Sequence, residues 1–385
     1  MSELYFGRGN ASMRDDYLDF INLVFGFNGY DRDFLKMYPN LYKAEYDPCY
    51  NNFVAMEDGK FRAAVGVYPR TFSVMGETLL SHGIGNVAVH PYHRSKGYMI
   101  KLMHMALDDM VAAGADFSDL GGLRQRYQYF GYDNAGCNRV FSIGHTNIRH
   151  CFPNAEAPRV YFKQIFADDP MLDDVYALYE QKIVHTCRPR EQLYDIMREV
   201  FVILRREDDS FCGFCGFCGG DLSGLTLVSA DDFYDTVRAY LEHHDHINLV
   251  LPPFETELIA LAHRICGSCT IHSAVKIAVF RFRRMLTAYM KLKAATEGLV
   301  DGVRQYTVEG IRGVGGTTVS ESFRIVVKDG AVTLTDIDDA APVTVLPYKE
   351  AIPFFFDLAA PLRCCDPVAS QWFPLPVNID GCDHV

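Results

Sequence analysis

Apolar residues set the first element of the chain. In "MRDDYLDFINLVFGF", Tyr17, Phe20, Ile21 and Val24 recur at helical spacing, with Ser12 ahead of them and Asp15 and Asp16 in the first turn. "FVAMEDGKFRAAVGVYPRTFSV" predicts two strands joined at Asp58-Gly59, a pair suited to a tight hairpin turn. A third strand, "ETLLSHGIGNVAVHP", stops at Pro91, which has no N–H for a ladder. Over residues 99–113 the set Met99, Leu102, Met103, Ala106, Leu107 and Met110 predicts one apolar helix face, ended by Gly114. "ADFSDLGG" is a short strand, and "RQRYQYFGYD" a short helix closed by Gly131.

Two prolines in "HCFPNAEAPRV" mark a boundary near residue 150. Beyond it "MLDDVYALYEQKI", "REQLYDIMREVF", "DTVRAYLEHH" and "ETELIALAHRI" are helical, while "FVILRREDDSFCGFCGFCGG" is a hairpin and "INLVL" a strand. This order loosely repeats the first unit. From about residue 286 the character changes: a helix, "MLTAYMKLKAA", then strands in "QYTVEGIRG", "SFRIVVKDGAVTLTDI" and "VTVLP", a closing helix in "KEAIPFFFDLAAPLRCC", and a polar tail, "VNIDGCDHV". The expected fold is mixed α/β (α+β), in three units over 1–150, 151–285 and 286–385.

Composition narrows the function classes. The chain has 385 residues, 49% hydrophobic and 22% charged, enough apolar content for sizeable cores. Its formal net charge of −12 repels a phosphate backbone, so no nucleic-acid partner is expected, and a cationic small molecule or peptide is favoured. No apolar run reaches membrane-spanning length, and the N-terminus lacks the pattern of a secretory signal, so a cytoplasmic protein with no membrane partner is expected. The 12 cysteines are then reduced thiols.

Chemistry concentrates in "NVAVHPYHRSKGYMIKLMHMALDDM". A strand ends at Val89 and a helix starts near Gly97, so "HRSKG" presents successive backbone N–H groups at a helix N-terminus. Such a place suits phosphate oxygens by geometry and by the helix dipole. Arg94 and Lys96 add positive charge there, and Gly97 allows close approach. The competing interpretation is a solvated basic turn.

"VAVHPYHRSKGYMIKLM" resembles motif A of the GNAT (GCN5-related) N-acetyltransferases, V-x-V-x-P-x-x-R/Q-x-x-G-x-G/A, with Met99 where the family has Gly or Ala. The resemblance implies that Val87, Ala88 and Val89 pair with the pantetheine of acetyl-CoA. It implies that Arg94, Ser95, Lys96, Gly97, Tyr98 and Met99 hold the pyrophosphate through main-chain N–H groups. "RYQYFGYD" is similar to the family's Y-x-x-x-G-F/Y through Tyr127, Gly131 and Tyr132, which implies that Tyr127 protonates the leaving thiolate. A packed aromatic cluster is the structural alternative there.

The whole layout resembles the Eis (enhanced intracellular survival) acetyltransferases: tandem GNAT-like domains followed by a sterol-carrier-protein-like (SCP2-like) sheet-and-helix domain. That resemblance implies an aminoglycoside, polyamine or lysine-like acceptor, a homo-hexamer, and a C-terminal carboxylate, here Val385, that helps deprotonate the acceptor amine. A non-catalytic binding protein is the alternative. No metal is expected: Cys212, Cys215 and Cys218 lack a fourth cysteine at a suitable offset, and His243, His244 and His246 fit a solvated helix end. "GVGGTT" at 313–318 lacks a following helix, and Cys364-Cys365 supports no functional assignment.

Overall fold

The computed structural model describes residues 3–29, 31–154, 156–218, 221–338 and 341–383. The hairpin at Asp58-Gly59 forms as its sequence predicts: both residues have positive φ, 52° and 72°, and Glu57 pairs with Lys60. The hairpin belongs to a sheet in the spatial order Leu4–Arg8, Asn52–Glu57, Lys60–Val74, Glu77–Val89, Phe117–Leu120, Val275–Val279 and Asp133–Ala135. Along that order only Glu77–Val89 and Phe117–Leu120 run parallel, and the helix Tyr98–Ala112 makes the crossover between them. Leu102, Met103, Ala106, Leu107 and Met110 of that helix are buried, the apolar face read from the sequence. The helix Arg14–Gly26 buries Tyr17, Phe20 and Ile21 in a separate core with Tyr42, Val54, Ala64 and Ala88.

Pro69 sits inside the long strand Lys60–Val74 without breaking the sheet. On one side Asn52–Glu57 pairs only as far as Gly66, and Val184–Cys187 begins pairing at Thr71. The proline falls in the gap between those partners, where no ladder hydrogen bond is lost.

A second sheet has the order Val160–Ile165, Val200–Arg205, Phe211–Cys218, Asp221–Leu227, His246–Leu251, Asn138–Gly144 and Ser268–His272. Its one parallel pair is Asp221–Leu227 with His246–Leu251, joined through the helix Phe233–Leu241. The two sheets exchange strands. Asp133–Ala135 closes the first sheet and Asn138–Gly144 enters the second, while Ser268–His272 closes the second and Val275–Val279 enters the first. Gly136 stands at one crossing with φ of 60°, and a Cβ there would lie 1.7 Å from the Val377 carbonyl oxygen. Asn138–Gly144, from the first 150 residues, thus sits in the second sheet, and Val275–Val279, from residues 151–285, in the first. One helix is shorter than its sequence pattern: after Leu193–Met197, Arg198 takes a φ of 64° and Val200 begins a buried strand.

The third sheet runs Ala331–Thr335, Thr318–Lys328, Gly302–Arg312 and Thr344–Pro347. It shares a core with the helices Phe282–Thr296, Tyr348–Phe356 and Pro367–Trp372, and with Phe72, Phe117 and Ile277 of the first sheet. Lys293 is buried in that helix, and its ammonium donates to the carbonyls of Gln371 and Trp372 at 3.1 Å and of Pro374 at 3.0 Å. Three acceptors offset the desolvation that lowers its pKa.

The tail is polar in composition but packed in the structure. Val377 and Ile379 are buried, and Asp383 is 2% exposed. The Asp383 carboxylate accepts from Arg188 Nη2 at 2.6 Å and Thr186 Oγ1 at 2.7 Å, and its backbone carbonyl accepts from Arg70. Arg70 in turn pairs with buried Asp119. Val385 lies outside the described residues. Removing one partner of a buried ion pair strands the other, so Asp383→Ala should lower unfolding free energy by about 3 kcal/mol in chemical denaturation. A loss indistinguishable from a surface substitution would refute the anchoring role.

Candidate active site

The two parallel strands of the first sheet pair over Ser81–Ile84 and Phe117–Leu120, and no further. Beyond Ile84 they diverge. Glu77–Val89 also carries a bulge: Ala88 pairs with Ala64 and Gly85 with Gly66, so Asn86 and Val87 oppose Val65 alone. Asn86 has a φ of 51°. The His90 N–H donates to Arg62 O at 2.8 Å. Backbone direction alternates along a strand, so the N–H and C=O of Val89 face away from Lys60–Val74, into the opening.

The opening leads into a cleft of about 510 Å³ lined by Val87, Val89, Arg94, Ser95, Lys96, Gly97, Tyr98 and Met99, with Val24, His93, Ile100 and Arg126. Eight of the nine residues expected to bind the cofactor thus meet in one place. Ala88 is the exception. It is 1% exposed and packs into the opposite core with Tyr17 and Leu18, as alternation along the strand requires.

The loop has the features an anion cradle needs. Ser95 and Gly97 both have positive φ, 65° and 78°. The helix Tyr98–Ala112 has no side-chain cap, and its first intrahelical bond runs from Lys101 N–H to Gly97 O at 3.1 Å. The N–H groups before Lys101 have no intrahelical acceptor and sit at the positive end of the dipole. The basic side chains contribute less. Lys96 Nζ turns back to Glu57 at 3.3 Å and His93 Nδ1 at 3.1 Å, and Arg94 is exposed with no ion pair among the described residues. These residues fit a pyrophosphate and an extended amide-bearing arm on geometric grounds.

Tyr127 ends the short helix Arg124–Tyr127. Arg124 grips Asp133 at 2.5 and 3.1 Å, and Gln128 Nε2 donates to the same carboxylate at 3.1 Å, fixing the turn. Tyr127 is 6% exposed, stands edge-on to Tyr132, and is not itself a wall of the cleft, although its neighbour Arg126 is. Burial raises its phenol above the ordinary value, opposed by the adjacent Arg126 guanidinium. Gly122, which the sequence reading passed over, has a φ of 105°, and a Cβ there would lie 2.9 Å from the Tyr127 ring. The Gly121-Gly122 pair in "DLGGLRQRY" was the available signal.

The other candidates stand apart. Cys212 and Cys215 are buried in the strand Phe211–Cys218, and the Cys218 side chain is outside the description. His244 stacks on Tyr240, and His246 meets Asn248 at 2.9 Å. Val314–Gly316 is a single turn followed by a strand. Among the described residues no three His, Cys, Asp or Glu side chains gather as a metal-holding group, and no helix is long and apolar enough to cross a membrane.

Residues 8–135 match the family described as Acetyltransferase (GNAT) domain. No curated protein matches the chain. Among solved structures, a GCN5-related N-acetyltransferase from Kribbella flavida aligns over 100% of this chain and 99% of its own, with 17% identity and a TM-score of 0.67. One from Anabaena variabilis aligns over 98% of each chain at 12% identity and a TM-score of 0.65. Eis1 from Mycobacterium abscessus aligns over 99% of this chain and 98% of its own, at 15% identity and a TM-score of 0.61. At these identities the alignments show a shared fold along the whole chain.

If backbone N–H groups form the cradle, Gly97→Val should weaken CoA binding about tenfold, from the cost of a left-handed φ in a β-branched residue. Lys96→Ala should cost less than about threefold, as for an exposed ion pair. Calorimetric titration with CoA checks both, and the reverse ranking would return the weight to the side chains. The match over residues 8–135 makes that segment a GNAT acetyltransferase domain, whose chemistry is that of a transferase acting on amines.

Proposed function

We propose that the protein transfers an acetyl group from acetyl-CoA to a primary amine of a cationic acceptor by direct attack in a ternary complex. The observation that carries this reading is the convergence of the uncapped helix start, the positive-φ loop and the outward-facing backbone of Val89 on one cleft. Acetyl-CoA supplies the thioester that is attacked.

In this reading the N–H groups from Arg94 to Met99 hold the pyrophosphate, and Val87 to Val89 align the pantetheine arm. The Val89 N–H polarises the carbonyl oxygen under attack. Tyr127 gives its proton to the leaving sulfur; a buried, neutral phenol suits a thiolate whose conjugate acid has a pKa of about 8.5. Gly122 keeps the ring in place. The remaining gain comes from holding amine and thioester together.

The acceptor class rests on the net charge of −12 and on the resemblance to Eis-type enzymes. The same resemblance supports an aminoglycoside, polyamine or lysine-like amine, a hexamer, the division into two GNAT-like units and an SCP2-like unit, and a role for the Val385 carboxylate. The matching order of seven strands in each sheet, with Val184–Cys187 an extra strand on the first, favours the tandem arrangement. The anchoring of Asp383 brings the chain to within two residues of that terminus in a fixed place.

Thiol release from acetyl-CoA across a panel of amines tests the function, and no turnover together with no CoA binding would sink it. Tyr127→Phe should lower kcat about 100-fold while leaving CoA affinity within about threefold. Because burial raises the phenol, its proton-bearing form persists at high pH, so kcat should show no Tyr127-linked decline below about pH 10. Equal loss of kcat and affinity in the Phe variant would remove the acid role. Deleting His384 and Val385, which leaves the Asp383 anchor in place, tests Val385 in the same assay, and unchanged activity would remove it from the site.

A further inference from the structure

The bulge that turns Val87–Val89 toward the cleft is tied to a buried set of hydroxyl and amide groups. The Asn86 amide, at the bulge, donates through Nδ2 to Tyr42 Oη and, at 2.5 Å, to Tyr68 Oη. The two hydroxyls are 3.2 Å apart. Asn52 Nδ2 reaches Tyr68 Oη at 3.4 Å and donates to Pro48 O at 2.7 Å, while Tyr17 Oη donates to Asn52 Oδ1 at 2.7 Å. Tyr17, Tyr42 and Asn52 are fully buried, and Tyr68 is 3% exposed. Burial pushes the Tyr68 phenol up to about 12 and those of Tyr17 and Tyr42 well above their ordinary value, so all three stay neutral.

The geometry has a direct consequence for the opening. A left-handed φ in a residue other than glycine costs about 1–2 kcal/mol, and it persists only where the surroundings hold it. Here the hold is the pair of hydroxyls on Asn86, one from the helix Pro39–Tyr42 and one from Lys60–Val74. Gly66 makes room for it: a Cβ there would lie 2.6 Å from the Tyr68 ring and 2.8 Å from Asn52 Oδ1. With this hold absent, the extra residue opposite Val65 is free to relax, and the alternation that aims Val89 into the cleft shifts with it.

We propose that Asn86, clamped by Tyr42 and Tyr68, is a positioning residue that sets the backbone direction of Val87–Val89 for acetyl-CoA. The inference rests on the reading that these three residues align the pantetheine arm. None of the three side chains touches the cosubstrate; they act through the strand.

Three variants separate the parts. Asn86→Gly keeps the left-handed backbone accessible and loses the amide. Tyr68→Phe and Tyr42→Phe keep the rings and lose one hydroxyl each. Calorimetric titration with CoA and steady-state kinetics, with thermal unfolding in parallel, give the readout. Asn86→Gly, which loses both hydrogen bonds of the amide, and Tyr68→Phe, which loses the hydroxyl, should each raise the CoA Kd and the KM for acetyl-CoA at least about tenfold, with kcat at saturation within about threefold. Lower thermal stability with an unchanged CoA Kd in all three would overturn the proposal and leave a structural role only. Wild-type protein that fails to bind CoA would instead refute the underlying reading. If Asn86→Gly does not fold, the two Phe variants, nearly isosteric in the core, decide the matter by the same Kd.

Discussion

Two parallel strands that pair over four residues and then part are the constraint on which the site depends. A continuous ladder would consume the backbone groups on both strands. Because Phe117–Leu120 stops opposite Ile84, the Val89 N–H and C=O are left facing open space. The same divergence lets the helix Tyr98–Ala112 begin at the mouth of the gap, with its first N–H groups uncapped. Backbone pairing, where it ends, produces both a slot edged by free backbone groups and an open, positive helix end. The side chains around it are mostly apolar walls or, like Lys96, are held by Glu57.

Keeping such a gap open needs rigid flanks, and the rest of the chain supplies them. The first sheet is completed by Val275–Val279, which pairs with Phe117–Leu120 on its far side. Tyr348, from the last third of the chain, donates to Gly131 O at 3.2 Å and accepts from Val279 N–H at 3.0 Å, bracing the turn that follows Tyr127. Arg70, midway along the central strand, connects Asp119 to the tail at Asp383. Residues distant in sequence thus fix the short elements that carry the chemistry, which local propensity alone would hold weakly.

Local signals in the sequence were legible where they have local causes. The Asp58-Gly59 turn, the apolar face of the crossover helix and the loop "HRSKG" each follow from neighbours in the chain, and each stands where its pattern predicts. Ala88 stands between two residues that line the cleft, and strand alternation turns its side chain to the other core. The strand exchange at Gly136 was not legible, because a strand's pattern says that it is half-buried and not which sheet receives it. In the polar tail Asp383 is buried because Arg188, Thr186 and Arg70, far away in sequence, meet it there. Asn86 carried no signal, since its partners Tyr42 and Tyr68 come from two other elements.

The second sheet isolates what sets the first opening apart. Among the described residues its parallel strands pair at Leu222 and Leu249, and a cavity of about 230 Å³ lies beside them. Its crossover helix, however, follows "SADDF" where the first follows "RSKGY". Ser229 accepts from the Asp231 N–H at 3.2 Å in the 3-10 turn Ala230–Asp232 that leads into it, and buried Asp232, at the helix start, pairs with Arg205 at 2.9 Å, which places a carboxylate where the first helix has none. The opening itself is lined by Ile379 and Asp380 of the tail. Equal topology therefore gives unequal chemistry. The strand order is shared by both sheets, and two features of residues 94–99 set the first opening apart: two positive-φ positions and no carboxylate at the helix start.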